Sequence, residues 1–319
     1  MHLNNIPTIN DIQEASIRIA NQIHKTPVLT SSSLNKMLEA DLYFKCENFQ
    51  KIGAFKMRGA SNAIKLLSEE EKQFGVATHS SGNFAQALAL SAKINNIKSY
   101  IVMPENASKV KINAVKDFGG EVILCKSTLK DREETLNKIV KQNKAIFIHP
   151  YDNYDVIAGQ ATCAKELIEE INNLDFIIAP VGGGGLISGT ALSTAYFSPN
   201  TIVLAGEPFG ADDAYKSLLS GKIEPSINPN TIADGLRTSL GERTFPVIQK
   251  YVKKIIRVEE NEIIEAMRLI WERLKIIVEP SSAVAFAAII KEKNEIKNKK
   301  VGIILSGGNV DLNNLYFSE

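Results

Sequence analysis

An excess of charge is missing from this chain: 37 Lys and Arg stand against 36 Asp and Glu over 319 residues, a formal charge of +1. That balance leaves no broad basic or acidic face of the kind that binds nucleic acid or anionic lipid, so the expected partner is a small molecule. Cysteine is scarce. Cys46, Cys125 and Cys163 are odd in number, widely spaced and without a Cys-x-x-Cys pair, which argues against a disulfide framework or a zinc knuckle. Nor do His2, His24, His79 and His149 show metal-ligand spacing with one another. Long apolar runs are lacking too: candidates such as Phe176 to Pro180 are strand-sized, and the N-terminal Met-His-Leu-Asn-Asn-Ile-Pro has neither the basic start nor the apolar core of a secretory signal. These absences predict a soluble protein of a reducing cytoplasm, with neither nucleic acid nor membrane among its partners.

What is present is alternation. Short β-rich runs at Gly75 to Thr78, Ser99 to Met103, Glu121 to Cys125, Ala145 to His149, Phe176 to Pro180, Ile202 to Ala205, Lys254 to Val258 and Val301 to Leu305 are separated by helix-length segments. Strands that are hydrophobic throughout imply parallel sheets covered on both faces, hence an α/β fold. The runs between Gly75 and His149 cluster, predicting a smaller domain, 67–151, inserted into a larger one of 1–66 plus 152–319, with a cleft between them. The short stretch after Ser306 leaves no room for an appended regulatory domain. Ile263, Met267, Ile270 and Leu274 repeat at helical steps as a buried stripe, and Trp271 beside them reads as packing.

Four turns carry chemistry. In Gly53-Ala-Phe-Lys-Met-Arg-Gly59, a helical pattern opens at Ala54 and places Lys56 in the first turn, where unpaired N–H groups and the positive end of the helix dipole disfavour an ammonium. A lysine kept partly neutral is a nucleophile for a carbonyl, although a solvated surface lysine is the plainer alternative. After the strand at Phe176, Gly182, Gly183, Gly184 and Gly185 precede a helix and suit a phosphate, the alternative being a tight strand-to-helix turn. The segment lacks the Lys-Ser/Thr ending of a nucleotide loop, and Ser188 breaks the dinucleotide fingerprint. Ser80, Ser81, Gly82 and Asn83 precede a helix beginning near Ala87, either as ordinary caps or as donors to a carboxylate. Ser306-Gly307-Gly308-Asn309 ends the last strand, and the carboxyl ends of parallel strands are where such sheets bind ligands.

Taken in order, Gln50-Lys-Ile-Gly-Ala-Phe-Lys56-Met-Arg-Gly-Ala, Ser80-Ser81-Gly82-Asn83, the tetraglycine, Ala233-Asp234-Gly235 and Ser306-Gly307-Gly308-Asn309 resemble the fold-type-II family of pyridoxal-phosphate-dependent enzymes, in its branch of serine racemases and short serine/threonine dehydratases. The likeness runs from about Thr26 to Leu312. It implies two parallel-sheet α/β domains of the tryptophan-synthase-β kind, pyridoxal 5'-phosphate as cofactor, and a homodimer. Lys56 would hold the cofactor and act as base, Gly182 to Gly185 would hold its phosphate, Asn83 its ring hydroxyl and Ser306 its pyridine nitrogen. Ser80, Ser81, Gly82 and Asn83 would surround the substrate carboxylate, with Ser81 also the proton donor on the face opposite Lys56. The implied activity is β-elimination from serine, threonine or another 3-hydroxy amino acid to a 2-oxo acid and ammonia, with racemisation as the competing outcome. A catalytically silent phosphate-binding module is the alternative from another class.

The resemblance also implies a divalent-cation site (Mg²⁺, Ca²⁺ or Mn²⁺) at Glu207, the Ala211 carbonyl and Asp213, and a nucleotide-effector pocket at Ser31, Ser32 and Lys51. Arg132 corresponds to an arginine that faces the site and would suit an acidic substrate such as 3-hydroxyaspartate. The chain departs from the pattern at Phe84, where the family carries a histidine. That phenylalanine would either widen the substrate range or point into the core of the small domain.

Overall fold

Runs of Val, Ile and Leu form the strands because both sheet faces are covered by helices, so no strand needs a polar side. In the computed structural model, which describes residues 6–312 and 315–317, the strands are β1 (Val28–Leu29), β2 (Asp41–Cys46), β3 (Val76–His79), β4 (Ser99–Pro104), β5 (Glu121–Cys125), β6 (Ile146–Phe147), β7 (Phe176–Pro180), β8 (Ile202–Pro208), β9 (Lys254–Val258) and β10 (Lys300–Leu305). His2 lies outside the described residues. One sheet has the order β5-β4-β3-β6 and is parallel throughout; the other has the order β1-β2-β10-β7-β8-β9, parallel except for β1. The last strand of the chain thus lies in the middle of the larger sheet, with Ile303 paired to Phe44 on one side and Ile178 on the other.

The expected strands are all present, with local differences that have physical causes. Gly75 is the left-handed cap of the helix Glu69–Phe74 (φ 79°), so β3 starts one residue after it. β8 runs on from Ala205 to Pro208 because β9 pairs alongside as far as Pro208↔Val258. The run to His149 shortens to Ile146–Phe147, since the His149 ring turns the chain by taking the N–H groups of Tyr151 (3.3 Å) and Asp152 (2.9 Å) on Nδ1. Ile263, Met267 and Ile270 are fully buried, and Trp271 packs against the same core while Nε1 donates to the Val278 carbonyl at 3.1 Å.

A buried charge cluster fixes the helix Lys56–Lys65. Arg58 donates to Glu47 through Nε and Nη2 (2.7 and 2.8 Å) and to Glu166 through Nη1 and Nη2 (2.7 and 2.8 Å). Lys45 Nζ adds 2.7 Å bonds to Glu166 and to the Thr26 carbonyl. Burial alone would raise the Glu47 carboxyl, but the Arg58 charge outweighs it and holds that group below the usual carboxylate value. Removing the cation would strand the Glu47 carboxylate out of water, while Glu166 keeps Lys45, a loss of about 3–5 kcal/mol for a buried pair. Arg58→Ala should therefore lower unfolding free energy by roughly that amount, read as the shift in urea midpoint of the cofactor-free protein at constant slope.

Candidate active site

Three strand ends converge. Ser80 follows β3, Val181 and the tetraglycine follow β7, and Ser306 follows β10, which is hydrogen-bonded to β7. The helix carrying the lysine opens at Lys56 itself, two residues later than the pattern suggested, because Ala54 is extended (φ −160°) and bridged to Gly307. Phe55 N–H then donates to the Ser306 carbonyl at 3.0 Å, tying the lysine loop to the end of β10.

Lys56 is half-buried, with Nζ donating to the Pro150 carbonyl at 2.9 Å and lying 5.0 Å from the Phe55 ring centre and 5.7 Å from that of Phe84. Its pKa is pushed down to about 8, by burial first and with the Glu279 charge pulling it back up. Desolvation, and not the helix start alone, is what lowers it. Phe84 resolves as a core residue, 2% exposed, whose ring also forms one wall beside the amine.

The tetraglycine starts the helix Gly185–Phe197, with Gly184 left-handed (φ 92°) at its N-cap and no side chain capping it. The helix therefore presents bare first-turn N–H groups. Packing demands glycine here as well: a Cβ on Gly183 would stand 2.5 Å from the Tyr151 ring, and one on Gly182 would stand 2.9 Å from Leu236 Cα. The number of glycines is thus explained by close packing, and the uncapped helix start is what argues for an anion.

At the third strand end the helix begins at Asn83 and not near Ala87, with Gly82 as a cap that makes no side-chain bond. Capping therefore does not account for Ser81. Ser80 Oγ accepts the Gly82 N–H at 3.4 Å. Asn83 is fully oriented: Nδ2 donates to Glu279 Oε1 (2.9 Å) and Oε2 (3.2 Å), and Oδ1 accepts from Asn309 Nδ2 (2.9 Å). The Asn309 N–H also reaches Glu279 at 3.1 Å. Sequence reasoning missed Glu279. Its signal was a glutamate standing at the N-cap of the apolar helix Pro280–Lys291 while making no cap bond of its own. Its pKa is pushed up to about 7 by burial and the nearby Asp234 charge, against the pull of Asn83, Asn309 and Lys111.

Comparison with known proteins decides what this site belongs to. The family described as "Pyridoxal-phosphate dependent enzyme" matches residues 19–307. The chain belongs to that family. A serine racemase of Dictyostelium discoideum is 54% identical over 97% of this chain and 96% of its own. Its crystal structure superposes with a TM-score of 0.92, covering 96% of this chain and 99% of that one. A beta-hydroxyaspartate dehydratase of Paracoccus denitrificans is 46% identical over 97% of this chain and 98% of its own. Membership in a family of enzymes leaves the silent phosphate-binding module without support. The fold is that of fold-type-II pyridoxal-phosphate enzymes, as the motif order implied.

The residues present fit the family's cofactor. An amine of lowered pKa suits its aldehyde, an uncapped helix start suits its phosphate, and the two are linked through adjacent residues, Pro150 and Tyr151. Arg132 is half-buried, its Nε is buried without a partner, and its charge reaches both His79 and Tyr151. His79 is pushed down to about 4, by burial and then by Arg132; burial does the same to His149.

Glu207 accepts the N–H groups of Ala214 and Tyr215 at 2.8 Å each, and burial pushes it up to about 9. Both oxygens of Asp213 are buried, burial pushes its carboxyl up to about 6, and the donors beside it are the Ser226 hydroxyl and the Leu240 N–H. Among the described residues no group of three or more His, Cys, Asp or Glu side chains is placed to hold a metal. A cation here would rest on two carboxylates, a carbonyl and water, an oxygen set of the hard-cation type. Ser31 caps the helix Ser32–Leu38, accepting the Leu34 N–H, and Lys51 lies in a short 3-10 turn, so Ser31 has a structural role of its own.

Uptake of pyridoxal phosphate by the cofactor-free protein should accelerate as pH rises through about 8, where Lys56 becomes neutral. Glu279→Gln removes the charge that supports the ammonium, so the rise should move to lower pH by up to ~1 unit. Stopped-flow absorbance against pH checks both, and an unmoved profile in the variant would separate the two groups.

Proposed function

We propose that this chain is a 3-hydroxy amino acid ammonia-lyase, eliminating water from serine, threonine or a close relative to give a 2-oxo acid and ammonia, with racemisation at Cα as a second outcome. The observation that carries the reading is the lysine amine, half-buried and partly neutral, held by the Pro150 carbonyl one residue along the chain from the Tyr151 ring that packs on the glycine turn. Pyridoxal phosphate, when bound, supplies an electron sink for the pair left at Cα once its proton is removed.

The chain's own residues do the rest. Lys56 Nζ takes the Cα proton and can return it to the departing hydroxyl, so the Cα–H and Cβ–O bonds break and water leaves. The enamine released hydrolyses to the 2-oxo acid and ammonia. Asn83, locked by Glu279 and Asn309, would hold the cofactor's ring hydroxyl. Ser306, 3% exposed, takes the pyridine nitrogen. Ser80, Ser81 and Gly82 receive the substrate carboxylate. Ser81 is released from any capping duty, which supports its role as the opposed proton donor that racemisation requires. A dicarboxylic substrate is favoured by one observation, the unpartnered Arg132 Nε near His79 and Tyr151. The same reading takes 67–151 as the smaller domain, a homodimer as the assembly and the cytoplasm as the location, the last supported by three buried, unpaired cysteines.

With cofactor bound, the protein should be yellow, and borohydride should fix the label on Lys56. A panel of L-serine, L-threonine and L-threo-3-hydroxyaspartate, scored for 2-oxo acid and for chirality of recovered substrate, ranks the activities. Lys56→Ala should lose about a thousandfold or more in kcat, whereas Ser81→Ala should lose racemisation and keep elimination. Formation of neither 2-oxo acid nor the opposite enantiomer from any of the three substrates would end the reading.

Two buried carboxylates, Glu207 and Asp213, support a divalent cation at Glu207, Ala211 and Asp213. Millimolar Mg²⁺, Ca²⁺ or Mn²⁺ should raise the melting temperature by a few degrees, and Asp213→Asn should abolish the rise in a thermal-shift titration. An equal rise in that variant would place the cation elsewhere.

A further inference from the structure

Segment 149–152 touches both ends of the site and is itself unusually constrained. Pro150 gives its carbonyl to Lys56 Nζ at 2.9 Å. Next in the chain, the Tyr151 ring lies over the glycine turn so closely that a Cβ on Gly183 would meet three of its ring atoms at 2.5 Å, while one on Gly185 would meet Tyr151 Cβ at 2.9 Å. The N–H groups of Tyr151 and Asp152 converge on His149 Nδ1, and the His149 and Tyr151 rings pack edge to face with centres 4.6 Å apart. Asp152 Oδ1 accepts the Arg243 N–H at 2.7 Å, and Asn153 caps the helix Tyr154–Glu170 that follows.

We infer that Tyr151 is a positioning residue: its ring, seated on the glycine turn, and the Pro150 carbonyl beside it hold the Lys56 amine at a fixed distance from the bare start of the helix Gly185–Phe197. The inference rests on the reading of that helix start as the phosphate seat and of Lys56 as the cofactor amine. A molecule with an aldehyde at one end and a phosphate at the other is captured by two contacts at once. Its affinity then depends on how well the spacing of those contacts is fixed, as well as on the strength of each. The phenol is pushed up to about 12, by burial first and then by the charges of Asp152 and Asp213, so the side chain acts as a neutral ring and not as an acid.

Three probes separate spacing from strength: pyridoxal phosphate engages both ends, pyridoxal the amine alone, and inorganic phosphate the turn alone. Tyr151→Ala should weaken pyridoxal phosphate binding about tenfold or more. Borohydride trapping of pyridoxal on Lys56 and competition by inorganic phosphate should stay within about twofold of the parent. Tyr151→Phe, which keeps the ring, should match the parent in all three. If circular dichroism shows the alanine variant unfolded, Tyr151→Leu carries the same comparison. Unchanged pyridoxal phosphate affinity in the folded variant, or loss of the single-ended probes in step with it, would overturn the inference. A parent protein that takes no label on Lys56 would instead overturn the functional reading beneath it.

Discussion

A lysine amine withdrawn from water, with the Pro150 carbonyl as its hydrogen-bond partner, is the constraint around which the site is arranged. Holding an ammonium there costs solvation free energy, and the protein meets that cost by letting the amine lose its proton near pH 8. Every neighbour contributes to the balance. Phe55 and Phe84 exclude solvent, the first-turn N–H groups of its own helix add positive potential, and Glu279 supplies limited compensation through space without contacting the amine. A carboxylate paired directly with Lys56 would have kept the amine protonated.

The rigid support lies two residues further on. Arg58 anchors the first turn of the lysine helix to Glu47 at the end of β2 and to Glu166 on the helix Tyr154–Glu170. That second helix begins directly after the 149–152 segment and packs on the helix that the glycine turn starts. The amine and the glycine turn are thus referenced to a common frame, as the proposed chemistry requires of groups that must be placed within tenths of an ångström.

Much of this was legible in the residues. Periodicity and apolar runs gave the strands because both sheet faces are covered, and Lys56, the tetraglycine and the Ser80–Asn83 loop stood out because each lies where a strand ends or a helix begins, the places where backbone donors are left free. What escaped were partnerships across the chain. Glu279 meets Asn83 over a separation of 196 residues, and Arg58 meets Glu166 over 108. Tyr151 reads as one aromatic among several until its ring is seen on Gly183. The helix start at Lys56 is set in the same way, pairing of Ala54 with the distant Gly307 outweighing local propensity, whereas the start at Asn83 is local and follows its Gly82 cap.

The glycine turn has one more implication, for the order in which the molecule comes together. Its tight neighbours are Tyr151, Leu236 and Thr244, drawn from segments on either side of it in the chain. Contacts between segments separated in the chain must first overcome loop-closure entropy. The turn should therefore take its shape only once Tyr151, Leu236 and Thr244 have been brought together around it, and the glycine segment alone cannot form it.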